Sequence, residues 1–292
     1  MLCAWLAWPM AFVPWTEKAV ANQLEIRASY SLVDLQNSIQ HEPLQLDSKV
    51  LTRDQYDAYY RSGAYDRRYP TPNHATLCEI KSKITSENRL LDFGCGSGCY
   101  SVALAPFCQS LMAYDPSPEA IHLLKSRTTD HANVSRALAL DDVLRDAPYD
   151  VAICIFGVLS HMPDPNHRRS TLEFLRKCLR VGGWLVVSVP NRMRRFYRQQ
   201  LLSALQQRDL SGRIEYRRDC VDGLIPYFVY TERTSHDELR ACGFLVESIK
   251  AESIMPETFV TKYRYALALE KHFLSKIPPW LGYGMLATAR RT

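Results

Sequence analysis

The chain has 292 residues, 47% of them hydrophobic and 23% charged, with a formal net charge of +5. This excludes a largely disordered chain, and the length suffices for one large core with elaborations or one core plus a small cap. Nine cysteines do not read as a disulfide framework or a metal site, because Cys95 and Cys99 fall in a glycine-rich turn, Cys154 in an apolar run, and no Cys and His set has ligand spacing.

Residues 1–50 read as an N-terminal extension, of which 1–15 are apolar, rich in tryptophan and followed by an Ala-x-Ala ending at 19–21. A signal peptide is disfavoured, since no basic segment precedes the run and Pro9 and Pro14 interrupt it. The run is also too short to span a bilayer. It reads as an arm packed on the core, a membrane-surface contact or a start assigned too far upstream, and a cytoplasmic protein without stable membrane insertion is expected. Residues 51–87 carry Tyr56, Tyr59, Tyr60, Tyr65 and Tyr69 with Arg61, Arg67 and Arg68 interleaved, before a helix-like stretch from Asn73.

Residues 90–98 are an apolar run that breaks into Gly94, Gly96 and Gly98, with Asp92 at the junction. A short buried strand entering such a turn lets backbone approach a ligand closely, so a nucleotide-like cofactor is expected here. The dinucleotide fingerprint is disfavoured because Cys99 stands where its third glycine belongs. A P-loop is excluded, as no Lys followed by Ser or Thr comes after the glycines. A second apolar run, 111–114, ends in Asp115, about 20 residues after the first glycine, where a carboxylate can accept both hydroxyls of a ribose. Ser117 then reads as a helix N-cap and Pro118 as the first helical residue.

This stretch resembles motif I of class I S-adenosylmethionine (SAM) dependent methyltransferases, in which an acid precedes Gly-x-Gly-x-Gly. Further partial matches follow in order. Residues 134–140 run into Asp141 and Asp142, where the family places an acid beside the adenine amino group; the usual preceding glycine is absent, and Asp141 reads equally as cofactor contact or helix cap. Asp150 leads into the buried-strand run 151–156, which resembles the family's strand 4, whose carboxyl end lies under the transferred methyl. Residues 184–189 form a fifth strand after Leu179, Arg180, Val181, Gly182 and Gly183, similar to a family turn with valine in place of proline.

The resemblance covers residues 88–190, the SAM-binding core. It implies a Rossmann-like α/β fold: a seven-stranded sheet with a terminal antiparallel strand, helices on both faces and helical cap insertions. It implies SAM contacts from Asp92, Gly94, Cys95, Gly96, Gly98, Asp115, Pro116, Asp141 and Phe156. It also implies that residues 51–87 fold over the cofactor as a lid, although each tyrosine alone reads as packing with a wet hydroxyl.

Residues 191–233 read as a cap insertion and 234–292 as the C-terminal part of the core, with a second insertion at 251–281. Within the latter, 235–242 reads as a helix with Ser235 as N-cap and Glu238 completing a capping box, 244–249 as strand 6 and 284–289 as strand 7. The first insertion opens with Arg192, Arg194, Arg195 and Arg198 among Phe196 and Tyr197, and later holds Arg213, Arg217 and Arg218. Arginine with aromatics suits an RNA face, but Glu215, Asp219 and Asp222 dilute it, and a solvated helix face is the commoner reading.

The candidate catalytic residue is His161, after strand 4, whose imidazole has an unperturbed pKa of about 6.5 suited to proton removal. A histidine there is frequent in the family even without a base role, so a structural part stays open; His122, His167 and His236 read as surface residues. The expected function is methyl transfer from SAM to an oxygen or nitrogen of a small-molecule metabolite. Residues 160–165 and 188–192 resemble quinone-biosynthesis O-methyltransferases. Residues 65–72 and 227–239 are similar to tRNA wobble-uridine methyltransferases, so a tRNA enzyme is one alternative and a non-catalytic SAM-binding protein another. Oligomeric state stays open.

Overall fold

A computed structural model of the chain describes residues 47–205, 211–218, 220–221, 223–263, 265, 270 and 272–292, with side chains from residue 53. The apolar run 1–15, and Asp219 and Asp222 of the arginine-rich stretch, lie outside the described residues. In chain order the larger elements are α1 (Asp47–Arg61), α2 (Ala64–Arg68), α3 (His74–Lys81), β1 (Arg89–Phe93), α4 (Cys99–Leu104), β2 (Ser110–Tyr114), α5 (Pro118–Arg127), β3 (Val134–Ala137), α6 (Leu140–Asp146), β4 (Tyr149–Cys154), α7 (Pro165–Cys178), β5 (Leu179–Pro190), α8 (Tyr197–Leu205), β6 (Arg213–Tyr216), β7 (Ile225–Phe228), α9 (Glu232–Ala241), β8 (Phe244–Ser253), α10 (Glu257–Val260) and β9 (Gly284–Arg291).

Seven strands form one sheet in the order β3-β2-β1-β4-β5-β9-β8. Strands β1 to β5 pair in parallel, and β9 runs antiparallel to both neighbours, β5 and β8. The expected Rossmann-like sheet is therefore present. Successive residues of a strand face opposite sides, so Leu91 and Phe93 join one buried cluster and Leu90 another. With both faces covered, β1 and β4 are apolar almost throughout, and that is why they read as continuous runs rather than alternations. The chain leaves β1 toward β2 on one side and returns to β4 on the other, so the crevice of the topological switch opens at the carboxyl end of β1.

Several expected boundaries move. Strand β5 starts at Leu179, and the Gly182–Gly183 turn is a bulge within it, because pairing with β4 jumps from Tyr149–Leu179 to Val151–Trp184. Helix α9 starts at Glu232, capped by Thr231 in a reciprocal capping box with Thr234. Ser235 is instead buried inside the helix, and Glu238 pairs with Arg168. Strand β3 stops at Ala137, which leaves Asp141 and Asp142 in the first turn of α6. The first insertion is not wholly helical: after α8 comes the antiparallel hairpin β6–β7, joined to the sheet by a bridge between Asn191 and Tyr230. Among the described residues, no helix is long and apolar enough to cross a membrane.

Candidate functional site

The turn after β1 is shaped by three glycines in the left-handed region, Gly94 at φ 78°, Gly96 at 54° and Gly98 at 88°. Space forbids a side chain as firmly as the dihedrals do. A Cβ at Gly94 would lie 2.5 Å from Val158 Cγ2, at Gly96 2.7 Å from the Tyr60 hydroxyl, and at Gly98 2.2 Å from Leu124 Cδ1. Backbone hydrogen bonds hold the loop against β2, with Gly94 N and Cys95 N both donating to the Tyr114 carbonyl at 2.7 and 3.0 Å.

Two buried carboxylates flank this cradle. Asp115, at the end of β2, accepts from Gly96 N and from Ser117 N, both at 2.9 Å. Each oxygen keeps a lone pair for another donor. Burial pushes its carboxyl up to about 6, against the pull of those two amides. Asp92 accepts from Ser101 Oγ at 2.6 Å. Burial, only partly offset by that hydroxyl, pushes it up to about 7. Cys95 is buried beneath the loop with its thiol raised by burial, and therefore stays a small apolar filler.

Helices α1 and α2 lie over the cradle. Tyr59, Tyr60 and Tyr65 are buried and pack on Ala120 of α5. Ser117 donates to Asp57. Asp66 accepts from Ser97 Oγ at 2.6 Å and pairs with Arg127 at 2.6 Å, which ties the cover to the loop and to α5. Phe156, past the end of β4, holds a left-handed backbone at φ 62° with its ring 5.2 Å from Tyr69 and 5.4 Å from Tyr100. Such strain in a non-glycine residue is a mark of a site. The structure thus brings Asp92, Gly94, Cys95, Gly96, Gly98 and Asp115 together. Pro116 is exposed beside Asp115, and Asp141 is exposed in the first turn of α6, whose N-cap is Ala139 with no side-chain cap bond, so Asp141 is not the helix cap.

A second cluster stands beside the first, joined through Val158, whose side chain covers Gly94. His161 ends the helical turn Val158–His161 that follows β4. Its Nε2 and the Tyr56 hydroxyl of α1 are 2.8 Å apart, and Arg218 donates to the same hydroxyl at 2.8 Å. Burial, then Arg218 and Arg195, lower the imidazole well below its ordinary pKa, so the ring is neutral. The Tyr227 ring stands 4.9 Å from it. The turn is held from behind by Arg168 of α7, which donates to the Met162 and Pro163 carbonyls at 3.0 and 2.9 Å and pairs with Glu238 at 2.6 Å.

From the sequence Tyr56 reads as packing and Arg195 and Arg218 as an exposed face. Both guanidiniums instead point inward, Arg195 between Tyr227 and Tyr283 and Arg218 among Tyr56, Tyr59 and Tyr216. The alternation of arginine with aromatics was the available signal. What it lacked was the direction of the side chains. Glu252 and Glu257 are further additions: Glu252 accepts from Thr76 and Ser188 at 2.9 Å each, and burial raises both carboxyls.

A family described as a methyltransferase domain matches residues 64–249. The chain belongs to the SAM-dependent methyltransferases. Among curated proteins it is 28% identical over 123 residues to a ubiquinone biosynthesis O-methyltransferase of Nitrosomonas europaea, covering 41% of this chain and 51% of that one. It is 34% identical over 145 residues to the enzyme of that name from Xylella fastidiosa, covering 46% and 57%. The chain thus spans about half the length of the curated relatives it matches. A solved Burkholderia thailandensis 1,6-didemethyltoxoflavin-N1-methyltransferase shares the fold, with a TM-score of 0.56 at 17% identity over 86% of this chain and 93% of that one. The cradle fits the cofactor of this family: side-chain-free backbone at positive φ between two buried carboxylates.

Proposed function

We propose that this methyltransferase moves the methyl group of SAM to an oxygen of a small-molecule metabolite, with His161 receiving the acceptor's proton and Tyr56 holding the imidazole in place. Asp92, Gly94, Cys95, Gly96, Gly98, Asp115, Pro116 and Phe156 would hold the cofactor, with Asp141 at the outer edge. Bound SAM supplies a methyl already activated on a sulfonium. The chain's own residues therefore have two tasks, aligning the acceptor oxygen and taking its proton.

The observation that carries this reading is the contact of the two clusters, with Val158 covering Gly94 three residues before His161. A neutral imidazole keeps a lone pair free for a proton, and the hydrogen-bonded Tyr56 holds the ring in one orientation. Burial and the two arginines weaken His161 as a base in the absence of an acceptor. An acceptor that brings negative charge offsets the arginines' share of that shift. The oxygen-directed reading draws support from the ubiquinone O-methyltransferase relatives.

The test is His161→Ala beside Tyr56→Phe, with methyl transfer from labelled SAM and SAM binding by calorimetry measured on each. Turnover is expected to fall about 100-fold in His161→Ala and about tenfold in Tyr56→Phe, with SAM affinity nearly unchanged. Full activity in His161→Ala would remove it as the proton acceptor. Loss of SAM binding in the unaltered chain would remove the whole reading.

A further inference from the structure

Two half-buried cations in one cluster need an explanation. Arg195 and Arg218 each lose water, and among the described residues neither forms an ion pair within 4.0 Å. The tyrosine faces compensate part of that cost and leave the rest. Four buried polar atoms around them lack a hydrogen-bond partner: Arg195 Nε, His161 Nδ1, Ser160 Oγ and the Tyr216 hydroxyl. Their neighbourhood is a single one. Arg195 lies 5.7 Å from the Tyr227 ring, that ring lies 4.9 Å from His161, and the Tyr227 hydroxyl covers Gly157, where a Cβ would also meet Ser160 Oγ at 3.6 Å.

Charge balance narrows what completes the cluster. Arg195 and Arg218 contribute two positive charges and the neutral His161 none. The Glu257 carboxyl meets that of Glu252, and two buried carboxyls in contact do not both ionise, so this pair contributes at most one negative charge. Arg68 sits at the exposed rim, where water screens it. Among the described residues the cluster therefore keeps a surplus of at least one positive charge, which a monoanion neutralises. The surrounding rings, Tyr56, Tyr216, Tyr227 and Phe196, offer π faces to a flat molecule.

We propose that the acceptor is an aromatic carboxylate whose carboxylate is held by Arg195 and Arg218. The proposal rests on the methyl-transfer reading of the same site and names its substrate class. A guanidinium pairs with a carboxylate through two parallel hydrogen bonds, which gives orientation as well as affinity, and orientation is what in-line transfer requires.

The test uses the full chain saturated with S-adenosylhomocysteine, titrated in a calorimeter with 3,4-dihydroxybenzoate, its neutral amide and phenyl phosphate. The acid is expected to bind at least about tenfold more tightly than the amide. Arg195→Gln and Arg218→Gln should each lower acid affinity about tenfold or more and leave the amide alone. Arg218→Lys should recover part of the loss, which separates charge from folding, and melting curves accompany every variant. Equal binding of acid and amide, no binding of either, or unchanged preference in both Gln variants would overturn the proposal. Tighter binding of phenyl phosphate would overturn the charge count. Failure of S-adenosylhomocysteine to bind the unaltered chain would instead sink the methyl-transfer reading, a separate result of the same titration.

Discussion

The two halves of the site are built from different materials and carry opposite charge. The cofactor half is backbone: three glycines at positive φ, amides turned to Asp115, and two buried acids. The proposed acceptor half is side chain: tyrosines, one neutral imidazole and two inward guanidiniums. An acidic cradle suits a ligand with a positive sulfur, and a basic, aromatic cluster suits an anion. The comparison also says how each half should fail. Backbone fails through shape, so one atom too many is enough. Side chains fail through charge and hydrogen bonding, so graded losses are expected.

The largest effect should therefore come from Gly96→Arg. The position combines φ 54° with a Tyr60 hydroxyl 2.7 Å from any Cβ, and the following atoms would enter the space over the loop. SAM affinity is expected to fall by at least about 100-fold, while a circular dichroism spectrum keeps its α/β character, because the loop lies beyond the carboxyl end of β1 and outside the strand pairing. A folded Gly96→Arg protein that binds SAM normally by calorimetry would move the cofactor elsewhere.

The same contrast explains what could be read before the structure. The cradle is contiguous: strand, glycines and helix follow within a few residues, and Asp115 bonds to Gly96 only 19 residues away. Its chemistry is therefore written in local order. The acceptor cluster joins Tyr56 to Arg218 across 162 residues and to His161 across 105. No period or spacing encodes such a meeting, and the sign of the arginine cluster was visible while its direction was not. Local competition hid smaller features. Ser235 reads as a cap by residue type, but the cap is Thr231, because Ser235 and Leu239 bury the inner face of α9. The β6–β7 hairpin escaped notice because pairing Ile214 with Tyr227 is a tertiary decision.

A smaller effect probes the acids of the cradle through pH. In the folded chain Asp92 titrates at about 7 and Asp115 at about 6, against about 3.9 for an unfolded aspartate. Between these limits the folded state binds more protons than the unfolded one, so both groups make stability fall as pH rises from about 4 to their folded values. His161 acts in the opposite sense: its folded pKa is lowered, so its share of stability is lost as pH falls below about 6.5. Asp92→Asn removes one contribution and leaves the others. Melting temperatures of the cofactor-free chain taken from pH 5 to 8 should decline less steeply in Asp92→Asn than in the unaltered protein, by a few degrees at about 2 to 4 °C per kcal/mol. Parallel curves would mean that Asp92 is not protonated in the fold and that the cradle's acidity is differently arranged.

The smallest effect calibrates the largest. Gly182, in the bulge of β5, shares the left-handed backbone of the cradle glycines at φ 75°, yet a Cβ there meets nothing within 4 Å. Gly182→Ala therefore isolates the dihedral cost from the steric one, about 1 kcal/mol, or a melting temperature about 2 to 4 °C lower. SAM affinity should not change, because the bulge lies at the start of β5 and the cradle beyond the opposite end of the sheet's parallel strands. If Gly182→Ala weakened SAM binding as Gly96→Arg is expected to, loss of affinity would reflect general loosening of the sheet. Shape at the cradle would then no longer explain the difference between the two halves.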